Sequence, residues 1–258
     1  MGLTPEFIEK PRDRCDTVYK LNAVKPNGFD PKTRWFHRLT PIPKDTEFTD
    51  ITGKNIIPDE FPEWESVFND IGDHFTEVLE KLNQIISIEI GQNKNYLSDL
   101  CHNGNHMLAP TMSDLRKYGN PGTILAGFHS DISLLTIHGK SRYSGLNIWT
   151  RKNEKIRVKV PENCFLVQAG RQLEYLTGSY ILSGFHEVVV ENDTVEQIIS
   201  AIETGKSTTR VSSTFFAHVN SDKFLEVLPE FQTPENIKLY PKIKEGLWLR
   251  NRLKKLLH

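Results

Sequence analysis

The sequence predicts a mainly β fold of sandwich or barrel type, flanked by helices. Three observations carry that expectation. From about residue 121, short runs of apolar residues follow one another, with turn residues between most of them. Ahead of them, one long stretch repeats its apolar residues at three- and four-residue steps. Behind them, the chain closes on a basic amphipathic stretch, KIKEGLWLRNRLKKLLH.

Taken in order, residues 1–60 are rich in prolines and charges and read as irregular, with TRWFHRLTPIP a short strand or a loop. Trp64, Val67, Phe68, Ile71, Phe75, Val78, Leu79, Leu82, Ile85 and Ile86 then recur at helical spacing among mostly polar residues. They predict one helix of roughly seven turns over residues 62–86, lying against the core. The strand-like runs are TILAGFH, LLTIHG, LNIWT, IRVKVP, CFLVQAG, HEVVV and RVSSTFFAHV, parted by KSRYSG, RKNEK and PEN. One helix interrupts them. Val195, Ile198, Ile199 and Ile202 form its apolar stripe, Asp193 or Thr194 caps it, and Gly205 ends it. The closing basic helix reads as docked on the core with a solvated basic face; a membrane surface is the alternative. Trp149, Phe165 and Tyr175 read as core.

Composition bounds the function. The chain has 258 residues, a net charge of -1, 38% hydrophobic and 25% charged residues, which is ordinary for a soluble globular protein. There is no basic excess to hold nucleic acid. The three cysteines, Cys15, Cys101 and Cys164, form no CxxC pair, so a cysteine zinc site is not expected and a reducing, cytoplasmic setting is. MGLTPEFIEK has no hydrophobic region of a signal peptide, and Glu6 stands where a myristoylation signal needs Ser or Thr. No apolar run approaches membrane-spanning length. A monomer is expected.

The chemistry-bearing stretch is GFHSDISLLTIHG. His129 and Asp131 are two residues apart at a strand end, so their side chains share a face. An imidazole and a carboxylate converging on one point need a third ligand. Two histidines and one carboxylate, with positions left open, suit non-haem Fe(II). His186, in SGFHEVVV, lies far enough downstream to return from the opposite sheet of a sandwich. His138 would be roughly 23 Å from Asp131 along an extended strand, too far to share a metal. On these residues alone, a bare His-x-Asp arises by chance more often than as a metal site, and a buried histidine such as His186 is more often a core residue.

In order, HSDISLLTI, GLNIW, VPENCFLVQAGRQLEYLTGSY, GFHEVVV and TRVSSTFF resemble the 2-oxoglutarate and Fe(II)-dependent dioxygenases. They resemble most closely the isopenicillin N synthase-like branch. The family's His-x-Asp, distant His and Arg-x-Ser match His129, Asp131, His186, Arg210 and Ser212. The resemblance covers residues 100–220. It implies a double-stranded β-helix, or jelly roll, over residues 101–220. Residues 1–100 then supply an irregular region and a long backbone helix, and residues 221–258 a helical extension, all one compact catalytic unit. It implies that His129, Asp131 and His186 are the catalytic metal ligands, and that Arg210 and Ser212 hold the distal carboxylate of 2-oxoglutarate. Arg210 and Ser212 share a strand face, and a guanidinium can fork onto a carboxylate while the hydroxyl adds a bond. There are departures. The family's Asn-Tyr-Tyr-Pro-Pro segment matches NHMLAPT, with Asn105, His106 and Met107 where a tyrosine holds the co-substrate. Gly170-Arg171 replaces Gly-Asp, and His138 replaces an apolar residue.

The implied activity uses Fe(II), 2-oxoglutarate and O2 to oxidise a C–H bond of a small organic substrate by hydroxylation, desaturation or ring closure, releasing succinate and CO2. Two alternatives stay open. One is an Fe(II) oxidase of the isopenicillin N synthase or aminocyclopropane-carboxylate oxidase type, which does not use 2-oxoglutarate. The other is a non-catalytic jelly-roll binding protein. His138, Lys140 and Arg142, in IHGKSRYSG, are the candidate substrate residues, suited to an anionic or amino-acid-like substrate; a solvated loop explains them equally.

Overall fold

The computed structural model describes residues 31–257. The expectations for residues 1–30, Cys15 among them, lie outside the described residues. Two short strands, β1 (Thr33–Arg34) and β2 (His37–Arg38), precede the long helix α1 (Trp64–Glu89). Helix α2 (Tyr96–Cys101) leads into β3 (Met107–Leu108) and β4 (Thr111–Asp114), followed by one turn of helix, α3 (Leu115–Tyr118). Strands β5 (Ile124–Ser130), β6 (Leu135–His138), β7 (Leu146–Trp149), β8 (Lys155–Arg157) and β9 (Leu166–Ala169) come next. Helix α4 (Arg171–Leu176) and β10 (Phe185–Val189) follow, then α5 (Asn192–Glu203), β11 (Thr209–Ser212) and β12 (Thr214–Ala217). The C-terminal part adds β13 (Phe224–Leu225), α6 (Pro234–Leu239), β14 (Ile243–Lys244) and α7 (Glu245–Leu257).

The strands build a jelly roll. One sheet has the order β5-β10-β7-β8 and the other β2-β3-β12-β6-β9, with every pairing antiparallel. A three-stranded piece, β1-β4-β11, continues the second sheet. The sequence reads RVSSTFFAHV as one strand; the structure breaks it at Ser213. The ladder nonetheless carries on across the break. The Ala109 N–H donates to Thr214 O at 2.7 Å, and the Trp35 N–H donates to Pro110 O at 3.1 Å. A three-stranded ribbon therefore bends from the core onto the mouth of the roll, carrying residues 33–38, 107–114 and 209–217.

Helix α1 packs on the second sheet through Phe68, Phe75 and Leu79, which are buried; the Phe75 ring stacks on Phe215 of β12 at 5.5 Å. Each such side chain contributes about 1.5–3 kcal/mol of burial. Val67, Ile71 and Ile85, expected to face the core, are exposed. At about 100° per residue, Val67 and Ile85 sit some 100° round the helix from Phe68, beyond the arc the sheet covers. Helix α7 docks as predicted, with Trp248 and Leu249 in the main core beside Tyr175. Phe165, expected in the core, is half exposed, with its ring 5.2 Å from that of Phe75. Trp149 packs against a small separate cluster of Phe128 and Phe185. Helix α5 starts earlier than expected: Glu191 is its N-cap, paired with Thr194 in a capping box, and Gly205 follows its end with φ 65°.

Candidate metal centre and the cavity around it

Strands β5 and β10 lie side by side, and their register sets His186 directly opposite His129. The two ring centroids are 4.2 Å apart. His186 thus comes from the neighbouring strand of the same sheet, not from the opposite sheet as the sequence suggests. The chain passes from β5 through Asp131, which is buried, and turns into β6 of the other sheet. One ligand atom from each of His129, Asp131 and His186 lies within 4.8 Å of the others, the one such group among the described residues. His129 Nε2 is 3.6 Å from Asp131 Oδ1.

The neighbours of these three groups aim them. His129 Nδ1 faces Gly127 O at 2.6 Å and His186 Nδ1 faces Gly184 O at 3.3 Å. With Nδ1–H donating to a carbonyl, each ring offers the Nε2 lone pair. The Thr136 hydroxyl donates to Asp131 Oδ2 at 2.7 Å, leaving Oδ1 turned to His129. Burial holds His186 down at about 4 and pushes His129 below the usual histidine range. Burial works to raise Asp131, but His186, His129, His138 and the Thr136 bond outweigh it and hold the carboxyl at about 2. At neutral pH the set is two neutral imidazoles and one carboxylate, the protonation state a divalent cation needs. These donors fit Fe(II), with the remaining positions open.

A second network ties the ligand-bearing segments together. Arg171, where the family has Asp, donates from its backbone N–H to Asp131 O at 2.8 Å and from Nε to Ser130 Oγ at 2.8 Å. Its Nη1 donates to Glu174 Oε1 at 3.2 Å. Glu174 Oε2 accepts from the Ser183 N–H at 2.8 Å and from the Ser183 hydroxyl at 2.5 Å, and Tyr240 donates to Oε1 at 2.9 Å. Ser130 lies between two triad residues and Ser183 just ahead of the third. Gly170 is required here: a Cβ would meet Ser133 O at 2.0 Å.

A cavity of about 330 Å³ opens beside the triad. Arg210 and Ser212 both line it. Arg210 is buried, burial lowers it to about 10, and its Nε has no hydrogen-bond partner. A buried cationic donor left without a partner is costly, so it fits an anionic ligand such as the distal carboxylate of a keto acid. His138, Lys140 and Arg142 also line the cavity, but each has a protein partner. His138 Nε2 faces Gln168 Oε1 at 2.7 Å, Lys140 pairs with Glu162, and Arg142 reaches Ser207 O at 3.4 Å.

One distance expected from the sequence fails. His138 is not 23 Å from the site: its ring is 5.9 Å from that of His186. The chain reverses after Ser130, so the extended-strand estimate does not apply. Asn105 and His106 are not at the co-substrate position either. Asn105 accepts from Arg38, and His106 Nδ1 accepts from the His218 N–H at 3.1 Å. The strand beside Arg-x-Ser is β4, where Ser113 stands opposite Arg210 and Thr111 opposite Ser212. Sequence reasoning missed these two residues, together with Lys32 and Arg34, all of which line the cavity. The alternation in KTR, with two cations two residues apart, was their one visible signal.

The 2OG-Fe(II) oxygenase superfamily profile matches residues 112–219. The chain is 26% identical over 216 residues to Kihadalactone A synthase LFS of Citrus sinensis, a match covering 79% of this chain and 59% of that protein. It is 24% identical over 218 residues to Azadirone synthase LFS of Melia azedarach, covering 79% of this chain and 60% of that one. The matches thus span about three-fifths of the length of these curated relatives. Among solved structures, a full-length Neurospora crassa protein in complex with alpha-KG superposes with a TM-score of 0.70 at 18% identity, covering 98% of this chain and 84% of the other. No helix among the described residues is long and apolar enough to cross a membrane.

Proposed function

We propose that this chain is a non-haem Fe(II) oxygenase that uses 2-oxoglutarate to oxidise a C–H bond of a small organic substrate, a reading supported by the match of residues 112–219 to the 2OG-Fe(II) oxygenase superfamily profile. The observation that carries this reading is the pairing of two features in one cavity: the His129–Asp131–His186 cluster and the buried Arg210 with an unpartnered Nε. His129, Asp131 and His186 would hold the metal. Thr136 fixes which Asp131 oxygen is offered, and Gly127 and Gly184 fix the ring tautomers. Arg210 and Ser212 would hold the distal carboxylate of the keto acid. When bound, iron and 2-oxoglutarate supply O2 activation coupled to release of succinate and CO2. Leu125, Leu146 and Val188 wall the cavity, exclude water and take the apolar part of the substrate.

The substrate is small and anionic, since the lining holds seven Lys and Arg residues against two Asp. We read residues 1–100, 101–220 and 221–258 as one catalytic unit, supported by the shared core that α1 and α7 enter. We read the chain as a monomer in a reducing, cytoplasmic setting, the latter supported by its three widely spaced cysteines. The test is anaerobic addition of Fe(II) and then 2-oxoglutarate, watching for the weak visible charge-transfer band of a chelated keto acid. A band that needs Arg210 supports the reading. Iron binding without a band overturns it in favour of an oxidase whose substrate itself chelates the iron.

A further inference from the structure

The inner face of the second sheet carries a polar ledge outside both the metal set and the keto-acid grip. Along β6, Leu135 and Ile137 belong to the main core, so Thr136 and His138 point the other way, into the roll. Thr214 of β12 stands opposite His138, and Gln168 of β9 stands opposite Thr136. His138 and Thr214 both line the cavity. His138, Thr214 and Gln168 are each at most 9% exposed.

The neighbours decide what this ledge offers. The Thr136 hydroxyl is committed to Asp131. Gln168 Oε1 lies 2.7 Å from His138 Nε2, and the Gln168 amide nitrogen packs against Gly184, where a Cβ would come within 3.2 Å of it. An amide oxygen only accepts, so Nε2 carries the proton and the neutral ring presents the Nδ1 lone pair. Among the described residues, neither Nδ1 nor the Thr214 hydroxyl has a hydrogen-bond partner, and neither is enclosed by protein. Residues opposed across strands have Cβ atoms about 4.5–5.5 Å apart, so one small group can reach both atoms. A lone pair beside a hydroxyl fits a group that both donates and accepts, such as a hydroxyl or a primary amide. A carboxylate has no proton to give Nδ1.

The ledge is distinct from the keto-acid grip. Arg210 and Ser212 lie on β11, whereas Thr214 lies beyond the break at Ser213, in the second sheet. The Gly139 N–H donates to Ser213 O at 2.8 Å and holds the end of β6 against that break. The His138 ring is 5.9 Å from that of His186, so the ledge also adjoins the metal centre. Lys140 and Arg142, on the same stretch as His138, are engaged with Glu162 and Ser207.

We propose that His138 and Thr214 read the substrate through one neutral group, a hydroxyl or a primary amide, which donates to His138 Nδ1 and accepts from the Thr214 hydroxyl. Gln168 is a positioning residue that fixes the tautomer of the ring. The group docks beside the metal centre, so the C–H bonds flanking it are the ones presented. An anionic substrate is then a hydroxy acid or an acid amide, with its charge held elsewhere in the cavity. This deepens the oxygenase reading and rests on it for the identity of the reaction.

The test uses the full chain loaded with Zn(II), with N-oxalylglycine in the keto-acid position, at about pH 8, above the ordinary histidine range. Nitrogen-15 NMR of labelled histidine reads the tautomer, and His138→Leu assigns the signal. Fluorine NMR follows titrations with 4-fluorobenzyl alcohol, its methyl ether and 4-fluorotoluene. These probes are neutral, which keeps the cations of the cavity out of the comparison. His138 should carry its proton on Nε2, and the alcohol should bind about tenfold more tightly than either analogue, the worth of a well-made hydrogen bond. His138→Leu should erase that preference, and Thr214→Val should reduce it. His138→Asn, which keeps an acceptor, should restore part of it, a recovery that a purely structural role would not give. Gln168→Leu should lower the preference and let the proton move between the ring nitrogens. The proposal is overturned if the proton of the unaltered chain sits on Nδ1, or if the probes bind alike or not at all. It is equally overturned if His138→Leu weakens N-oxalylglycine and leaves the preference for the alcohol intact. Failure of N-oxalylglycine to bind the unaltered chain would sink the oxygenase reading, while the alcohol-to-ether ratio on the Zn(II)-loaded chain would still decide the ledge.

Discussion

Replacing Glu174 by alanine removes a group that lies outside the cavity lining, yet it should weaken metal binding. The carboxylate is fully enclosed and accepts from the Ser183 N–H, the Ser183 hydroxyl, Tyr240 and Arg171. Its loss strips a buried acid from beside the Arg171 charge, which is only 8% exposed. Removing one partner of a buried pair costs about 3–5 kcal/mol. For a domain of this size, each kcal/mol lowers Tm by roughly 2–4 °C, so the fall is on the order of 6–20 °C. A typical domain has about 5–15 kcal/mol to lose, so the variant should remain folded at room temperature. Arg171 also holds Ser130 and the Asp131 carbonyl, and Ser183 leads into His186, so the ligands should loosen together. Second-sphere losses of this kind weaken metals by about 10- to 100-fold. Glu174→Gln keeps the shape and should lose less of both. Thermal melts of metal-free protein and a chelator competition for Fe(II) measure the two effects separately. A Tm drop with unchanged Fe(II) affinity would refute the positioning argument and leave the network purely structural. No change in either would refute the energetics as well.

Three further outcomes follow from the same geometry. His129→Ala or Asp131→Ala should abolish Fe(II)-dependent 2-oxoglutarate turnover with an unchanged circular dichroism spectrum; a fully active variant removes the metal assignment. Arg210→Ala should raise the 2-oxoglutarate concentration needed for half-maximal turnover by about 10- to 100-fold, the worth of charge-assisted bonds, and an unaltered requirement counts against its role. Burial, followed by His218 and Arg38, pushes His106 down to about 3, below its value of about 6.5 in the unfolded chain. A lowered histidine stabilises the fold fully above pH 6.5 and loses that contribution as pH falls toward 3, at about 1.4 kcal/mol per pH unit. Urea unfolding of metal-free protein at pH 6.5 and pH 5 should therefore show His106→Asn losing roughly 2 kcal/mol less than the parent chain; equal losses would show that His106 is not held neutral.

Much of this was legible because local pattern carried it. The spacing of Phe68, Phe75 and Leu79 is helical in any context, and His129 and Asp131 sit two apart wherever the strand goes. The match of His186, Arg210 and Ser212 to an ordered set of motifs gave the rest of the candidate site. What escaped was long-range. Nothing local says that the chain reverses between Asp131 and β6, so His138 was placed far from a centre it adjoins. The sequence likewise conceals that β4, not the stretch around His106, lies beside Arg210. Pairing partners are chosen by the whole sheet, and Thr111 and Ser113 carry no motif of their own. The network of Arg171, Glu174, Ser183 and Tyr240 joins residues from separate segments and was invisible for the same reason.

The direct opposition of His129 and His186 across β5 and β10 has a bearing on how the sheet assembles. Side chains alternate faces along a strand, so a slip of one residue would turn His186 away from His129. The irregular pairing near Val188 already makes this ladder specific about alignment. A cation that needs both rings binds one alignment and ignores its neighbours. At a hundredfold excess over Kd it would favour the aligned state by about 2.7 kcal/mol. The metal would then act as a proofreader of strand alignment during folding, before any substrate arrives.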